Sequence, residues 1–269
     1  MSDKRIDCFV AGVQKAGTTS LFGLLENHPQ LAAPSRKELH FFDDERRDWA
    51  APDYGELARF YTGSGDGMRF EVTPAYSFWP QSMDRLQRYN PDARIILLFR
   101  DPFERAWSHW CMQYARGKET LSFASAIRTE RHRLEGLPPD AVERRYFSYV
   151  GRGRYGSQLR RILALFPRDQ LLLLTAEAFA RDQSGILASI SDFLGIDGFP
   201  PMPPAWEHRR PAIPYPCEPR DEDRALIYDL LREEMDELAE HTRSHIRYPM
   251  HDPFRPGSDQ AQEKPPPIR

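Results

Sequence analysis

Short apolar runs alternate along this chain with stretches in which apolar residues return every third or fourth position. Ile6–Val10, Ile95–Phe99 and Gln170–Thr175 are continuous enough to predict strands buried on both faces, as in a parallel sheet. Leu31–Ala33 and Arg69–Val72 are shorter strand candidates. Leu21, Leu24 and Leu25 predict a helix opened by Thr18, Thr19 and Ser20 and ending near Asn27-His28-Pro29. Further helices are predicted over 81–89, from Asp101-Pro102 onward, and over 123–134, 155–166 and 186–194. Asp101 and Pro102 suit an N-cap and first turn, and Gly195 a stop. Residues 221–241 predict one long helix with Ala225, Leu226, Leu230, Leu231, Met235 and Leu238 as its buried stripe. Strands alternating with helices predict a three-layer α/β domain, a central parallel sheet flanked by helices.

The domain is expected to span 1–251, with a proline-rich loop over about 198–219 and a disordered tail over 252–269 that carries Pro265–Pro267. Residues 44–67 are polar and irregular, with one weak helix over 54–61.

Composition narrows the chemistry. With 269 residues, 40% hydrophobic, and a net charge of −3, the chain can bury a large core but carries no general attraction for polyanions. Nucleic acid is therefore not an expected partner, and any phosphate must be held by a local cluster. Cys8, Cys111 and Cys217 form no C-x-x-C pair, which argues against structural zinc and disulfides and suits a reducing cytoplasm. No apolar run approaches transmembrane length, so no membrane insertion is expected.

Two segments carry chemistry. The first is the loop after the opening strand, Gly12-Val-Gln-Lys-Ala-Gly17, which runs into a helix start. Loop N–H groups and the positive end of a helix would converge there on an anion. The glycine spacing matches a Walker A loop, but Lys15 lies between the glycines and Thr18 takes the Walker lysine's place. The second segment, Arg100-Asp-Pro-Phe-Glu-Arg-Ala-Trp-Ser108, follows a buried strand. Its Arg100 guanidinium and Ser108 hydroxyl, two helical turns beyond Asp101, would suit a terminal phosphate monoester.

Lys15-Ala-Gly-Thr-Thr-Ser20 resembles the 5′-phosphosulfate loop of sulfotransferases that use 3′-phosphoadenosine 5′-phosphosulfate (PAPS). R-D-P-x-x-R-x-x-S is similar to the motif with which they hold the 3′-phosphate. The resemblance runs from about Ile6 to Gly195. It is closest to the heparan-sulfate-type (carbohydrate) branch, through Lys15-Ala-Gly-Thr-Thr19, Lys37-Glu-Leu-His-Phe-Phe-Asp43 and Glu71-Val-Thr-Pro-Ala-Tyr76. It implies a P-loop-like sulfotransferase fold and PAPS as donor, with 3′-phosphoadenosine 5′-phosphate (PAP) as product and no metal. Lys15 and Glu38 are then the catalytic pair, Glu38 removing the acceptor's proton. Lys15, Ala16, Gly17, Thr18, Thr19, Ser20, Arg100 and Ser108 would bind the donor. His40 and Tyr76 would face the acceptor, His40 orienting Glu38 or touching the acceptor.

The chain departs from that branch in three ways. Val72 replaces a lysine, the C-L-G-x-x-K-G-R closing loop is absent, and no membrane anchor is expected. Glu207-His-Arg-Arg210 is a candidate replacement for the closing loop as a second 3′-phosphate contact. The expected protein is a bacterial-type cytoplasmic O-sulfotransferase acting on a glycan, glycolipid or secondary-metabolite hydroxyl. Acceptor contacts are expected from 44–67, 114–149 and the segment after Gly198. The alternatives are a nucleotide-binding module without turnover and a P-loop kinase. The displaced lysine and the lack of an evident magnesium-binding carboxylate speak against the kinase.

Overall fold

The computed structural model describes residues 4–63, 65–138, 140–205 and 213–248. Five strands form one all-parallel sheet: β1 (Cys8–Gly12), β2 (Leu31–Ala32), β3 (Met68–Val72), β4 (Arg94–Phe99) and β5 (Leu171–Thr175). Their order is β2-β3-β1-β4-β5. The register places Cys8, Phe9 and Val10 opposite Phe70, Glu71 and Val72 on one side, and opposite Arg94, Ile95 and Ile96 on the other. β1 is thus central and fully buried, as its unbroken apolar run requires.

β1 lies two residues later than the pattern predicts. Ile6 is buried, but its N–H donates to the Tyr89 hydroxyl and its carbonyl accepts from Asn90, so side chains take its backbone groups. At the other end the ladder continues through Gly12 opposite Leu97. A Cβ on Gly12 would lie 2.3 Å from the Ser77 Oγ, so only glycine lets the chain leave β1 here.

Helices pack on the sheet and continue beyond its edge: α1 (Thr18–Leu25), α2 (Gly55–Ala58), α3 (Ser82–Tyr89), α4 (Pro102–Ala115), α5 (Phe123–Leu134), α6 (Val142–Phe147), α7 (Tyr155–Leu163), α8 (Ala176–Arg181), α9 (Gln183–Leu194), α10 (Asp221–Leu230) and α11 (Arg232–His241). α6 and α8 fall where the pattern predicts no helix. The single helix expected over 221–241 is two, broken at Leu231 (φ −112°), and Leu230, expected inside, is 52% exposed. Leu231 instead enters a second apolar cluster with Phe103, Trp107, Trp110, Phe123, Tyr149 and Ile227, which fixes α4 against α5 and α10. The expected N-cap of α4 is present, the Asp101 carboxylate accepting from Glu104 N at 2.9 Å.

Because every strand is parallel, all five carboxyl ends open on one edge. β1 delivers Lys15 to it, β2 leads to Glu38, β3 to Thr73 and Tyr76, and β4 to Arg100. Crevices at such an edge, where strand order reverses, are where open α/β sheets bind ligands. The Glu207–Arg210 contact and the 252–269 tail lie outside the described residues.

Candidate active site

The loop between β1 and α1 is built around two left-handed residues, Lys15 (φ 73°) and Gly17 (φ 97°). Gly17 caps α1 without a side-chain hydrogen bond. This loop and helix start are where the sequence implies an anion cradle. Ala16 turns its own N–H back onto the Val13 carbonyl at 3.3 Å. Thr18 and Ser20 are buried, and Thr19 is exposed at the mouth of a groove of about 720 Å³ between α1 and Pro200–Ala205.

Arg100 donates from Nη1 to the Lys15 carbonyl at 2.8 Å, so the two expected donor motifs meet in one hydrogen bond. Its other face pairs with Glu104 at 3.6 Å. Glu104, Ser108, Met112 and Arg116 follow at four-residue intervals, which aligns them along one side of α4 and its C-terminal cap. Met112 Sδ lies 3.9 Å from Lys15 Nζ, which puts this side, with half-buried Ser108 on it, against the cradle. Burial lowers the Lys15 pKa, and the charges of Arg100 and Arg116 lower it further, while Glu38 pulls the other way. Arg116 is a cation near the cradle that no motif marks.

Glu38 sits on a strained turn: both Glu38 (φ 61°) and His40 (φ 53°) are left-handed. The neighbouring segment holds this turn by four consecutive N–H groups. Glu38 N donates to the Val72 carbonyl at 3.1 Å, Leu39 N to Glu71 Oε1 at 3.1 Å, His40 N to Thr73 Oγ1 at 3.5 Å, and Phe41 N to the Tyr76 hydroxyl at 3.1 Å. Tyr76, expected at the acceptor, is instead fully buried, and its hydroxyl serves the backbone. Glu71 is also fully buried. Burial drives its carboxyl up to about 7, against hydrogen bonds from Thr73 and Leu39 N.

Across the turn, opposite charges alternate. Lys37 Nζ is 2.5 Å from Glu38 Oε1, His40 Nε2 is 3.5 Å from Glu38 Oε2, and His40 Nδ1 is 2.9 Å from Asp43 Oδ2. Asp43, fully buried, is held in turn by Arg145 Nη1 at 2.5 Å. Burial opposes ionisation of Glu38, yet the His40 hydrogen bond and the Lys37 charge override it and hold the carboxyl at about 2. Burial likewise opposes charge on His40, and its bonds to Asp43 and Glu38 raise it to about 9. Glu38 is thus an oriented carboxylate at neutral pH, and His40 an imidazolium clamped between two carboxylates. Arg145 comes from α6. Its signal in the sequence is only that of a charged loop.

A cavity of about 340 Å³ opens beside this chain of charges, lined by His40, Asp43, Asp44, Glu45, Arg46, Asp140 and Arg145. Of the expected acceptor segments, 44–67 and 114–149 both contribute to it. Among the described residues, no group of three or more His, Cys, Asp or Glu side chains could hold a metal ion, and no helix is long and apolar enough to cross a membrane.

The sequence profile described as the sulfotransferase family matches residues 7–201. Mouse heparan sulfate glucosamine 3-O-sulfotransferase 3B1 is 30% identical over 187 residues, 70% of this chain and 45% of that protein. Mouse bifunctional heparan sulfate N-deacetylase/N-sulfotransferase 4 is 28% identical over 199 residues, 70% of this chain and 22% of that protein. The chain thus spans about half the length, or less, of these curated relatives. A solved sulfotransferase from Alicyclobacillus acidocaldarius superposes with a TM-score of 0.72 at 25% identity, over 90% of this chain and 97% of that one.

Proposed function

The chain belongs to the sulfotransferase family, and from that premise we propose that it transfers a sulfuryl group in line from PAPS to a hydroxyl of a glycan, glycolipid or secondary metabolite. One observation carries this reading: the hydrogen bond from Arg100 to the Lys15 carbonyl, which joins a 3′-phosphate-type motif to a phosphosulfate-type loop at one sheet edge.

The donor's fit rests on the chain's own groups. Gly17 caps α1 with no side chain, the Lys15 ammonium makes no ion pair among the described residues, the Arg100 guanidinium meets Glu104 at 3.6 Å, and the groove beside Thr19 has room for a nucleoside. Bound PAPS would supply the activated sulfuryl group. Lys15, with the loop N–H groups, would offset charge growing on the bridging oxygen.

On the acceptor side, Glu38 takes the hydroxyl proton. A carboxyl held at about 2 is a weak base. Transfer asks it for position more than strength, because the hydroxyl becomes acidic only as the new S–O bond forms. His40, tied to Asp43 and through it to Arg145, sets the carboxylate's orientation. The acid-rich cavity beside it favours a neutral hydroxylated ring over a polysulfated chain. Val72 is fully buried in β3, an apolar side chain at the position where the carbohydrate branch has its lysine. Cys8, Cys111 and Cys217 form no disulfide among the described residues, which suits a cytoplasmic setting.

The test is transfer of labelled sulfate from PAPS to a panel of neutral glycosides. Wild type should label at least one, and Lys15→Ala and Glu38→Ala should each lose 10²-fold or more, on the order expected for charge stabilisation and base catalysis. Full activity in both variants would overturn the assignment.

A further inference from the structure

α4 carries Arg105, His109 and Gln113 at four-residue spacing on one side, and all three are buried. Arg105 and His109 face the segment that joins α6 to α7. Arg105 donates from Nη2 to the Tyr149 carbonyl, and the His109 ring meets the Tyr149 ring edge-on at 4.9 Å. Arg152, in the short turn Gly151–Gly153 of that segment, is 3% exposed, and its guanidinium lies 4.4 Å over the Phe78 ring.

Two guanidiniums are thus buried at one place. Burial pulls the Arg152 pKa down to about 9, and the charges of Arg105 and Arg145 pull the same way. His109 is held neutral by its burial and then by the charges of Arg152 and Arg105. Arg152 spends Nη2 on the Arg145 carbonyl at 3.4 Å. Nε and Nη1 of both arginines have no hydrogen-bond partner among the described residues, and His109 Nδ1 is likewise without one. The Tyr155 hydroxyl stands beside Arg105, but it is neutral and itself donates to the Arg100 carbonyl.

Glu130 is the carboxylate felt by both arginines. Its two oxygens accept from Val150 N at 2.6 Å and Gly151 N at 2.7 Å, and burial pushes its carboxyl up to about 7. Asp43, also felt at Arg152, is already bonded by His40 and Arg145. Two buried cations against one carboxylate leave a positive charge over, and a buried charge without a counterion is costly. Water would satisfy the N–H groups and leave that charge; a monovalent anion does both. Packing here is close: a Cβ on Gly151 would lie 3.1 Å from Glu130 Oε1, and one on Gly153 would lie 2.7 Å from Leu231 Cδ1. That favours a monatomic ion over sulfate or phosphate.

We propose that Arg105 and Arg152 bind a halide, chloride in ordinary solution, as a buried structural anion. It joins α4, which carries Ser108 of the donor motif, to the segment whose Arg152 reaches the backbone of Arg145, the anchor of the Glu38–His40–Asp43 chain. Halide binding there does not depend on what the protein transfers.

Bromide replaces chloride and scatters anomalously, so crystals of the full chain grown in bromide locate the ion. The expected result is an anomalous peak within hydrogen-bond reach of Nε or Nη1 of both arginines. Thermal melts in which chloride replaces gluconate at constant ionic strength measure its effect. Tm should rise by about 2–4 °C for each tenfold increase in chloride beyond half-saturation. The start of α1 also suits anions, so the melts are repeated on two variants. Arg152→Met leaves Arg105 opposite Glu130 and should lose the chloride dependence, whereas Lys15→Ala should keep it. Water alone on both guanidiniums in the bromide crystals would overturn the site. So would bromide there with wild-type melting indifferent to halide (an adventitious ion only), or an undiminished dependence in Arg152→Met. Should Arg152→Met fail to fold, the wild-type crystals and melts decide the matter without it.

Discussion

The Leu39 backbone N–H donates to the Glu71 carboxyl at 3.1 Å, tying the turn that carries Glu38 to the end of β3. Thr73 donates to the same oxygen, so one buried side chain closes both segments. Glu71 is a positioning residue in this account. Glu71→Gln keeps an acceptor oxygen and should retain kcat within about fivefold. Glu71→Ala leaves a buried N–H without a partner, which costs about 1–3 kcal/mol. It should lower kcat at least tenfold while leaving KM for PAPS near wild type. Steady-state kinetics and thermal melts of the two variants check this, and an alanine variant with wild-type kcat would contradict it.

Tyr76→Phe removes one hydroxyl from the same scaffold and nothing from the cavities described above. The loss of its bond to Phe41 N should cost about 1 kcal/mol of stability. Affinity for acceptor should not move, since a fully buried ring cannot touch it. A selective rise in acceptor KM would restore Tyr76 to the acceptor site.

Arg145 is the outer anchor of the charge chain. Replacing it by alanine leaves Asp43, buried at 0% exposure, with His40 as its remaining ionic partner among the described residues. Breaking such a buried pair should cost about 3 kcal/mol. Arg145→Lys should recover charge but not the bond to the Asp43 carbonyl, and so rescue only part of the activity. Urea unfolding and kcat measured on both variants test the ranking, which an alanine variant as stable as wild type would break.

The same chain sets a pH dependence with a defined sign. His40 has its folded pKa raised from 6.5 to about 9, so its contribution to stability is complete below about pH 6.5 and is lost as pH rises through about 9. Glu38 has its folded pKa lowered from 4.5 to about 2, so its contribution is complete above about pH 4.5 and is lost as pH falls through about 2. Turnover should therefore fall on an alkaline limb near pH 9. Asp43→Asn removes the stronger of the two carboxylates that raise His40, and should move that limb toward neutral pH. A limb that stays in place in Asp43→Asn would separate His40 from catalysis.

What the sequence showed of the fold follows from where the apolar runs are continuous. β4 and the core of β1 are legible because strands buried on both faces must be apolar throughout. The parallel sheet follows from their alternation with helices. α6 and α8 were illegible for the opposite reason: Val-Glu-Arg-Arg-Tyr-Phe and Ala-Glu-Ala-Phe-Ala-Arg are too short and polar to show a period. The break at Leu231 was hidden because both halves continue one apolar stripe, which only the packing of α10 against α4 divides.

At the site, Lys15, Glu38 and Arg100 stood out because motifs mark them and strand ends place them. Arg116 and Arg145 did not, since neither lies in a motif and each acts across the fold, Arg145 on Asp43 and Arg116 through its charge at Lys15. Glu71 did leave a signal. A glutamate among Phe70 and Val72 in a short apolar strand is a buried carboxyl in want of a partner, and the partner is the turn that carries Glu38.

The most direct test of the central claim is calorimetric titration of the protein with PAP, beside ATP with magnesium. The account predicts tight, magnesium-independent binding of PAP that weakens at least 100-fold in Arg100→Ala, which loses both the phosphate guanidinium and the tie to the Lys15 carbonyl. Preference for magnesium–ATP, or PAP binding untouched in Arg100→Ala, would contradict it.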